Sequence, residues 1–272
     1  MGTSVVAGVD GSPPSGRAAL WAATEAARGG WPLHLVLVND DPARADQAEQ
    51  TLAELVERCR LARPELVLTG EVTEGHPARD LVHRSEQAQL LVVGSRGYGA
   101  FREVLVGAIS TTVATHARCP VVVVRGAARA NGPVVVGVDD SPGSQVALRH
   151  AFDCAARRRA ELIAVQALPD AYFTADVYPP LDPPEIRTRA DLHLAEQLAG
   201  WCAEHPDVPV HRRVANQHPV TALCGAAESA QLLVVGHRGR GGFAGLLLGS
   251  VANGVLHHAP CPVAVVRTSV HR

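Results

Sequence analysis

The sequence predicts an α/β protein of two tandem domains, each a doubly wound sheet of five parallel strands. Three observations carry this. Short valine-rich runs alternate with alanine-rich stretches of helical spacing, the alternation that builds βαβ units. The runs are apolar at nearly every position, as strands buried on both faces must be. The early and late segments of the first half return in the second half.

In the first half, 5–9 is a continuous apolar run ending in Asp-Gly-Ser-Pro, a strand with a turn at its carboxyl end. A helix follows over 15–28 with a serine cap, then a strand at 33–38, a helix at 45–60 and a strand at 66–72. A helix over 77–86 has Pro77 at its first position, where a missing N–H costs nothing. A strand at 90–93, a glycine-rich loop, a helix from about 107 to 116 and a strand at 121–124 complete the copy. Right-handed crossovers fold such a series into a parallel sheet covered by helices on both faces.

VVAGVDGSPPS at 5–15 returns as VVVGVDDSPGS at 134–144, QLLVVGSRG at 89–97 as QLLVVGHRG at 231–239, and the Cys119-Pro120 strand as Cys261-Pro262 with its own strand. The later segments recur at a larger offset, so the second copy carries an insertion. The proline-rich, acidic stretch 168–185 is its place, a long loop before the second helix that holds Tyr172, Phe173 and Tyr178; these could cover the second pocket or form a subunit contact. The small-residue run 126–132 separates a first domain, 1–126, from a second, 132–272.

All 25 basic residues of the Lys+Arg count are arginine. Without lysine there is no Walker A loop, no protein-kinase site and no Schiff-base chemistry. A formal net charge of −2 over 272 residues gives no broad attraction to nucleic acid or anionic membrane. The opening segment has no basic region before its apolar residues and no stretch is apolar enough to span a bilayer, so the expected location is the cytoplasm. Six scattered cysteines without a C-x-x-C pair read as reduced, buried residues.

The loops after the fourth strands, GSRGYGAFREVLVG at 94–107 and GHRGRGGFAGLLLGS at 236–250, run from closely spaced glycines to a helix N-terminus. Such a loop presents N–H groups around a concavity that favours anions; by pattern alone it fits a phosphate cradle and a purely structural turn equally. Arg96, Arg238 or Arg240 could add charge. Asp10 and Asp139 end the first strand of each copy. A doubly wound sheet brings the first and fourth strands together where ligands bind, so each aspartate should lie beside its glycine loop, able to accept from a ribose or to hold Mg2+. A turn-capping role is the competing reading.

Taken together, GVDGS at the end of the first strand, G-x-x-G-x9-G-S/T after the fourth, and CPVVVV as the last strand resemble the universal stress protein family in its tandem form. The resemblance covers nearly the whole chain, occurs twice, and implies a Rossmann-like, HUP-like fold. It further implies the family's ATP-binding branch, with ATP, accompanied by Mg2+, at the carboxyl edge of each sheet. Asp10 with Gly11, and Asp139, would then lie at the ribose and phosphate side, Asp10 and Asp139 touching the metal only indirectly. Val38 and Ala167 would meet adenine through backbone groups. Gly94, Gly97, Gly107, Ala108 and Ser110 would surround one set of phosphates, and Gly236, Gly239, Gly249, Ser250 and Val251 the other. Each copy keeps one of two hydroxyls: the first has Ala108 and Ser110, the second Ser250 and Ala252. The second site is expected to hold ATP more securely.

The 13 histidines form no H-E-x-x-H, and His76 and His218 recur before proline at a helix start, which suits shared structure. No G-x-S-x-G elbow and no HIGH-like or SGG-x-DS signature occurs, and no residue stands out as a base for water, so no catalytic residue is assigned. The expected function is a cytoplasmic ATP-binding stress-response regulator with little turnover and a protein partner of unknown identity. The alternatives are a slow ATP hydrolase and a nucleotide-free scaffold. The valine-rich last strands, 121–124 and 263–266, are expected contacts between the halves, making an intramolecular pseudo-dimer that could pair again as a homodimer.

Overall fold

The computed structural model describes residues 4–97, 106–168, 183–240 and 247–267. The glycine-loop segments 98–105 and 241–246, and the inserted aromatics Tyr172, Phe173 and Tyr178, lie outside the described residues.

The chain divides into two compact units, Met1–Ala128 with Pro262–Arg272, and Arg129–Cys261. The first contains β1 (Ser4–Val9), α1 (Pro13–Gly29), β2 (Leu33–Asn39), a short 3-10 turn, α2 (Ala45–Ala62), β3 (Leu68–Glu74), α3 (Pro77–Arg84), β4 (Ala88–Gly94), α4 (Ala108–His116) and β5 (Val121–Val124). The second contains β6 (Val134–Gly137), α5 (Pro142–Arg158), β7 (Leu162–Ala167), α6 (Pro183–Glu204), β8 (Val210–Ala215), α7 (Pro219–Ala226), β9 (Leu232–Gly236) and α8 (Ser250–His258). Strand β10 (Val263–Val266) ends the described chain and belongs to the first unit.

In the first unit the strands run β3-β2-β1-β4-β5, all parallel, and in the second β9-β6-β7-β8, also parallel. The α/β class is the one predicted. The two valine-rich last strands meet as expected, and only the direction is new: β10 lies antiparallel to β5, with Val263 opposite Val123 and Val265 opposite Val121. Alternation cannot distinguish the two pairings, because a strand buried throughout reads as the same apolar run in either direction.

Helices α1 and α2 pack on one another, as do α3 and α4, and the same pairings recur as α5 with α6 and α7 with α8. The central strands are closed off on both sides, with Val5, Ala7, Leu91, Val92 and Val123 buried in the first unit and Val134, Val135, Leu232 and Leu233 in the second. Packing is close enough to dictate residue size. A Cβ on Gly8 of β1 would come within 2.6 Å of Leu81 on α3.

Helix α1 begins two residues earlier than the sequence suggested. Ser12 is the cap, its side chain accepting from Ser15 N, and Pro13 and Pro14 occupy the first turn, where proline's fixed φ is already helical. Helix α5 repeats this with Ser141 and Pro142, and closes on Arg159 in the left-handed region where α1 uses Gly30. The arginine run ends the helix as expected; Arg158 also donates to Gln231 Oε1 at 2.8 Å, and the buried Gln231 donates onward to the Gly132 carbonyl.

Six free cysteines are present, four of them buried. Burial pushes the Cys59 thiol up to about 11 and that of Cys119 up to about 12, which keeps both protonated and unreactive. Among the described residues no helix is long and apolar enough to cross a membrane.

Candidate functional site

The carboxyl ends of β1 and β4 are neighbours, and so are those of β6 and β9. At each edge the chain leaves the first strand through an aspartate that serves its own turn. Asp10 Oδ1 accepts from Ser12 N at 3.0 Å and from Ser12 Oγ at 2.6 Å, and Asp139 Oδ1 accepts from Ser141 N at 3.2 Å and from Ser141 Oγ at 2.6 Å. Turn-capping is therefore real, and it uses one oxygen of each carboxylate. The other oxygen is turned to the glycine loop. A Cβ on Gly97 would collide with Asp10 Oδ2 and one on Gly239 with Asp139 Oδ2, while Arg240 N donates to Asp139 Oδ2 at 2.9 Å.

The glycines of each loop answer to different neighbours. Gly94 and Gly236 allow the first turns of α1 and α5 to approach, since a Cβ would sit 2.9 Å from the Pro14 backbone or 2.7 Å from that of Gly143. Gly97 and Gly239 make room for the carboxylates. Gly107 is under no such pressure: its φ is −73°, and the nearest atom to an added Cβ is 3.6 Å away. Its N–H donates to the Ser95 carbonyl at 2.8 Å, and Gly249 N donates to the His237 carbonyl at 2.9 Å, folding each loop back on its own start.

Gly107 and Gly249 are the N-cap positions of α4 and α8, and neither helix has a side-chain cap. The neighbouring helices α1 and α5 are both capped by serine. The first N–H groups of α4 and α8 thus lie at the cradle without a capping side chain, at the positive end of a helix dipole.

The remaining predicted residues separate. Gly11 is in the left-handed region at φ 80°, within the Asp10 turn. Val38 and Ala167 lie at the ends of β2 and β7, the strands beside β1 and β6. Ala108 and Ser250 are exposed at the starts of α4 and α8, with Val251 half-buried beside Ser250. Ser110 is buried and donates to the Gly94 carbonyl at 2.7 Å, so its hydrogen serves the loop itself. Ser12 and Ser141, which link each aspartate to its helix, were not singled out in the sequence; the S-P after each aspartate is the signal that marks them.

Among the described residues no three His, Cys, Asp or Glu side chains converge as metal ligands.

The sequence profile described as Universal stress protein family matches residues 1–125 and again 131–267. The chain belongs to that family. A universal stress protein of Mycobacterium tuberculosis (strain H37Rv) is 41% identical over 288 residues, spanning 97% of each chain, and one of Mycolicibacterium smegmatis is 40% identical over 289 residues, spanning 97% of this chain and 96% of that one. Among solved structures, a universal stress protein from Archaeoglobus fulgidus DSM 4304 has the same fold, with a TM-score of 0.76 at 21% identity over 98% of this chain and 99% of that chain. This is a universal stress protein with two domains of the family in tandem, and both carry the aspartate, the glycine loop and the uncapped helix.

Proposed function

We propose that this universal stress protein is a regulator that binds ATP at both cradles and turns it over little. The observation that carries the reading is the start of α4 and α8 at a glycine N-cap folded against the glycine loop, beside the aspartate turn. Helices α1 and α5 are capped by serine within the same sites, whereas α4 and α8 begin at glycines, which supply no side-chain cap to their first N–H groups. Gly107 adds to it, because neither its φ nor its nearest neighbours explain the lack of a side chain there. Phosphate oxygens suit that place: they accept from consecutive N–H groups and gain from the dipole.

Val38 and Ala167, at the ends of the adjacent strands, would offer backbone groups to an adenine ring, and the Asp10 and Asp139 turns would then lie between ring and phosphates. Magnesium arriving with the polyphosphate would find one carboxylate oxygen turned toward the loop in each site. That suits an ion that takes most of its ligands from phosphate and water. The other oxygen of each aspartate is held by two hydrogen bonds from serine, which disfavours its acting as a base toward water. A sensor that holds nucleotide and is read by a protein partner follows from slow turnover, and self-association of two chains would extend it.

Titration calorimetry of the full chain with ATP and magnesium tests the reading. The expected result is binding at two sites, reduced to one by Gly107→Val, with fewer than one labelled ATP hydrolysed per minute. Absence of heat at millimolar ATP would reduce the protein to a scaffold of this fold, and multiple turnovers per minute would make it a hydrolase.

A further inference from the structure

The two cradles differ at one turn residue. Gly11 of the first copy has φ 80°, and its counterpart in the second is Asp140 at φ 61°. That region is disfavoured for a residue with a Cβ, and it is held here by contacts that the first copy cannot make.

The Asp140 carboxylate reaches two other elements. His193 Nε2 of α6 lies 2.8 Å from Oδ1, and Gln197, one helical turn on, donates to the same oxygen. Arg240, from the glycine loop, donates through Nη1 to Oδ2 at 2.6 Å. By the repeat, Thr51 and Leu55 of α2 stand where α6 has His193 and Gln197, and Tyr98 stands where the loop has Arg240. Carboxylate, guanidinium, imidazole and amide are all confined to the second copy.

Arg240 is fixed at both ends. Its backbone N–H donates to Asp139 Oδ2, which puts the residue at the cradle, while its guanidinium turns to Asp140. A guanidinium with several N–H donors is the side chain best matched to phosphate oxygens, and it cannot lose its charge. Its side chain is 65% exposed and that of Asp140 25%, so this ion pair is open to competition from a stronger anion.

We propose that Asp140 is a specificity-determining residue of the second cradle: it holds the Arg240 guanidinium toward α6, so that a polyphosphate must compete with a carboxylate for that cation. This rests on the phosphate reading of the cradle. It reverses the ranking drawn from hydroxyl count, because the second site gains Ser250 but has its arginine engaged. It also couples occupancy to α6, since a phosphate that captures Arg240 leaves Asp140 with only His193 and Gln197.

The test uses the full chain with the first site silenced by Gly107→Val. Calorimetry with ATP, and separately with tripolyphosphate, is run on this background alone and with Asp140→Asn, Arg240→Gln or both. Asp140→Asn is expected to tighten both ligands about three- to tenfold, Arg240→Gln alone to change affinity less, and the double variant to lose the gain. Asp140→Gly, which restores the residue of the first copy, replaces Asp140→Asn if the latter does not fold. Unchanged or weaker tripolyphosphate binding on removal of the carboxylate, or a gain that survives without Arg240, overturns the proposal. If ATP binds nowhere, including the unaltered chain, while tripolyphosphate responds as expected, the nucleotide reading fails and the role of Asp140 stands.

Discussion

Gly97 and Asp10 are fitted to one another: a Cβ on the glycine would stand 2.5 Å from Asp10 Oδ2, the carboxylate oxygen that faces the loop. Gly239 stands in the same relation to Asp139. Gly97→Ala must therefore move either the loop or the carboxylate. The expected outcome is loss of one ATP per chain, with Gly239→Ala removing the other. Stoichiometry by calorimetry checks it, and two sites persisting in either variant would contradict the arrangement.

Ser12 and Ser141 each join an aspartate to the helix that follows, accepting from a backbone N–H of the first turn and donating to the carboxylate. Both are buried. Ser12→Ala or Ser141→Ala should cost about 1–2 kcal/mol of stability and loosen the aspartate as well. Urea denaturation measures the first effect and ATP affinity the second.

Ser110 and Ser250 are not equivalent hydroxyls. Ser110 donates to the Gly94 carbonyl inside the protein, whereas Ser250 is exposed at the first position of α8. Ser110→Ala is expected to lower stability by about 1 kcal/mol with a small change in ATP affinity. Ser250→Ala should do the opposite, weakening the second site several-fold at unchanged melting temperature.

His150, on α5, is pushed down to about 4, by burial first and then by the Arg157 and Arg158 charges. The unfolded chain takes up a proton near the ordinary histidine value while the folded chain refuses it. Its contribution is therefore intact above about pH 6.5 and declines as pH falls toward 4. The loss expected from this residue is up to about 2 kcal/mol after allowing for its partial exposure. His150→Asn should flatten the fall in urea stability between pH 7 and pH 4.5; an unchanged slope would assign it to other groups.

Much of this architecture was legible in the chain. The valine runs at 5–9 and 121–124 are strands buried on both faces, and Pro77 and Pro219 mark helix starts, because in each case one local demand decides the outcome. The aspartate and its loop were legible through their repetition. Pro13-Pro14 read as turn, since proline's fixed φ serves both a turn and a first helical position, and α1 accordingly starts before Ser15. Asp140 was not legible either. An aspartate after an aspartate looks like solvated charge, and only the approach of His193, Gln197 and Arg240, distant in sequence, gives it partners. The valine runs at 121–124 and 263–266 were legible as partners, but not the antiparallel direction in which β10, the last strand, meets β5.

That last strand has a consequence for how the molecule is made. The outward edge of β5 stays without β10 until the second unit has been synthesised, because its partner follows that unit in the chain. During that interval a row of valines with open backbone N–H and C=O groups invites foreign strands. Nascent first units on neighbouring ribosomes would be the nearest such strands, so accurate biogenesis depends on synthesis outrunning entanglement.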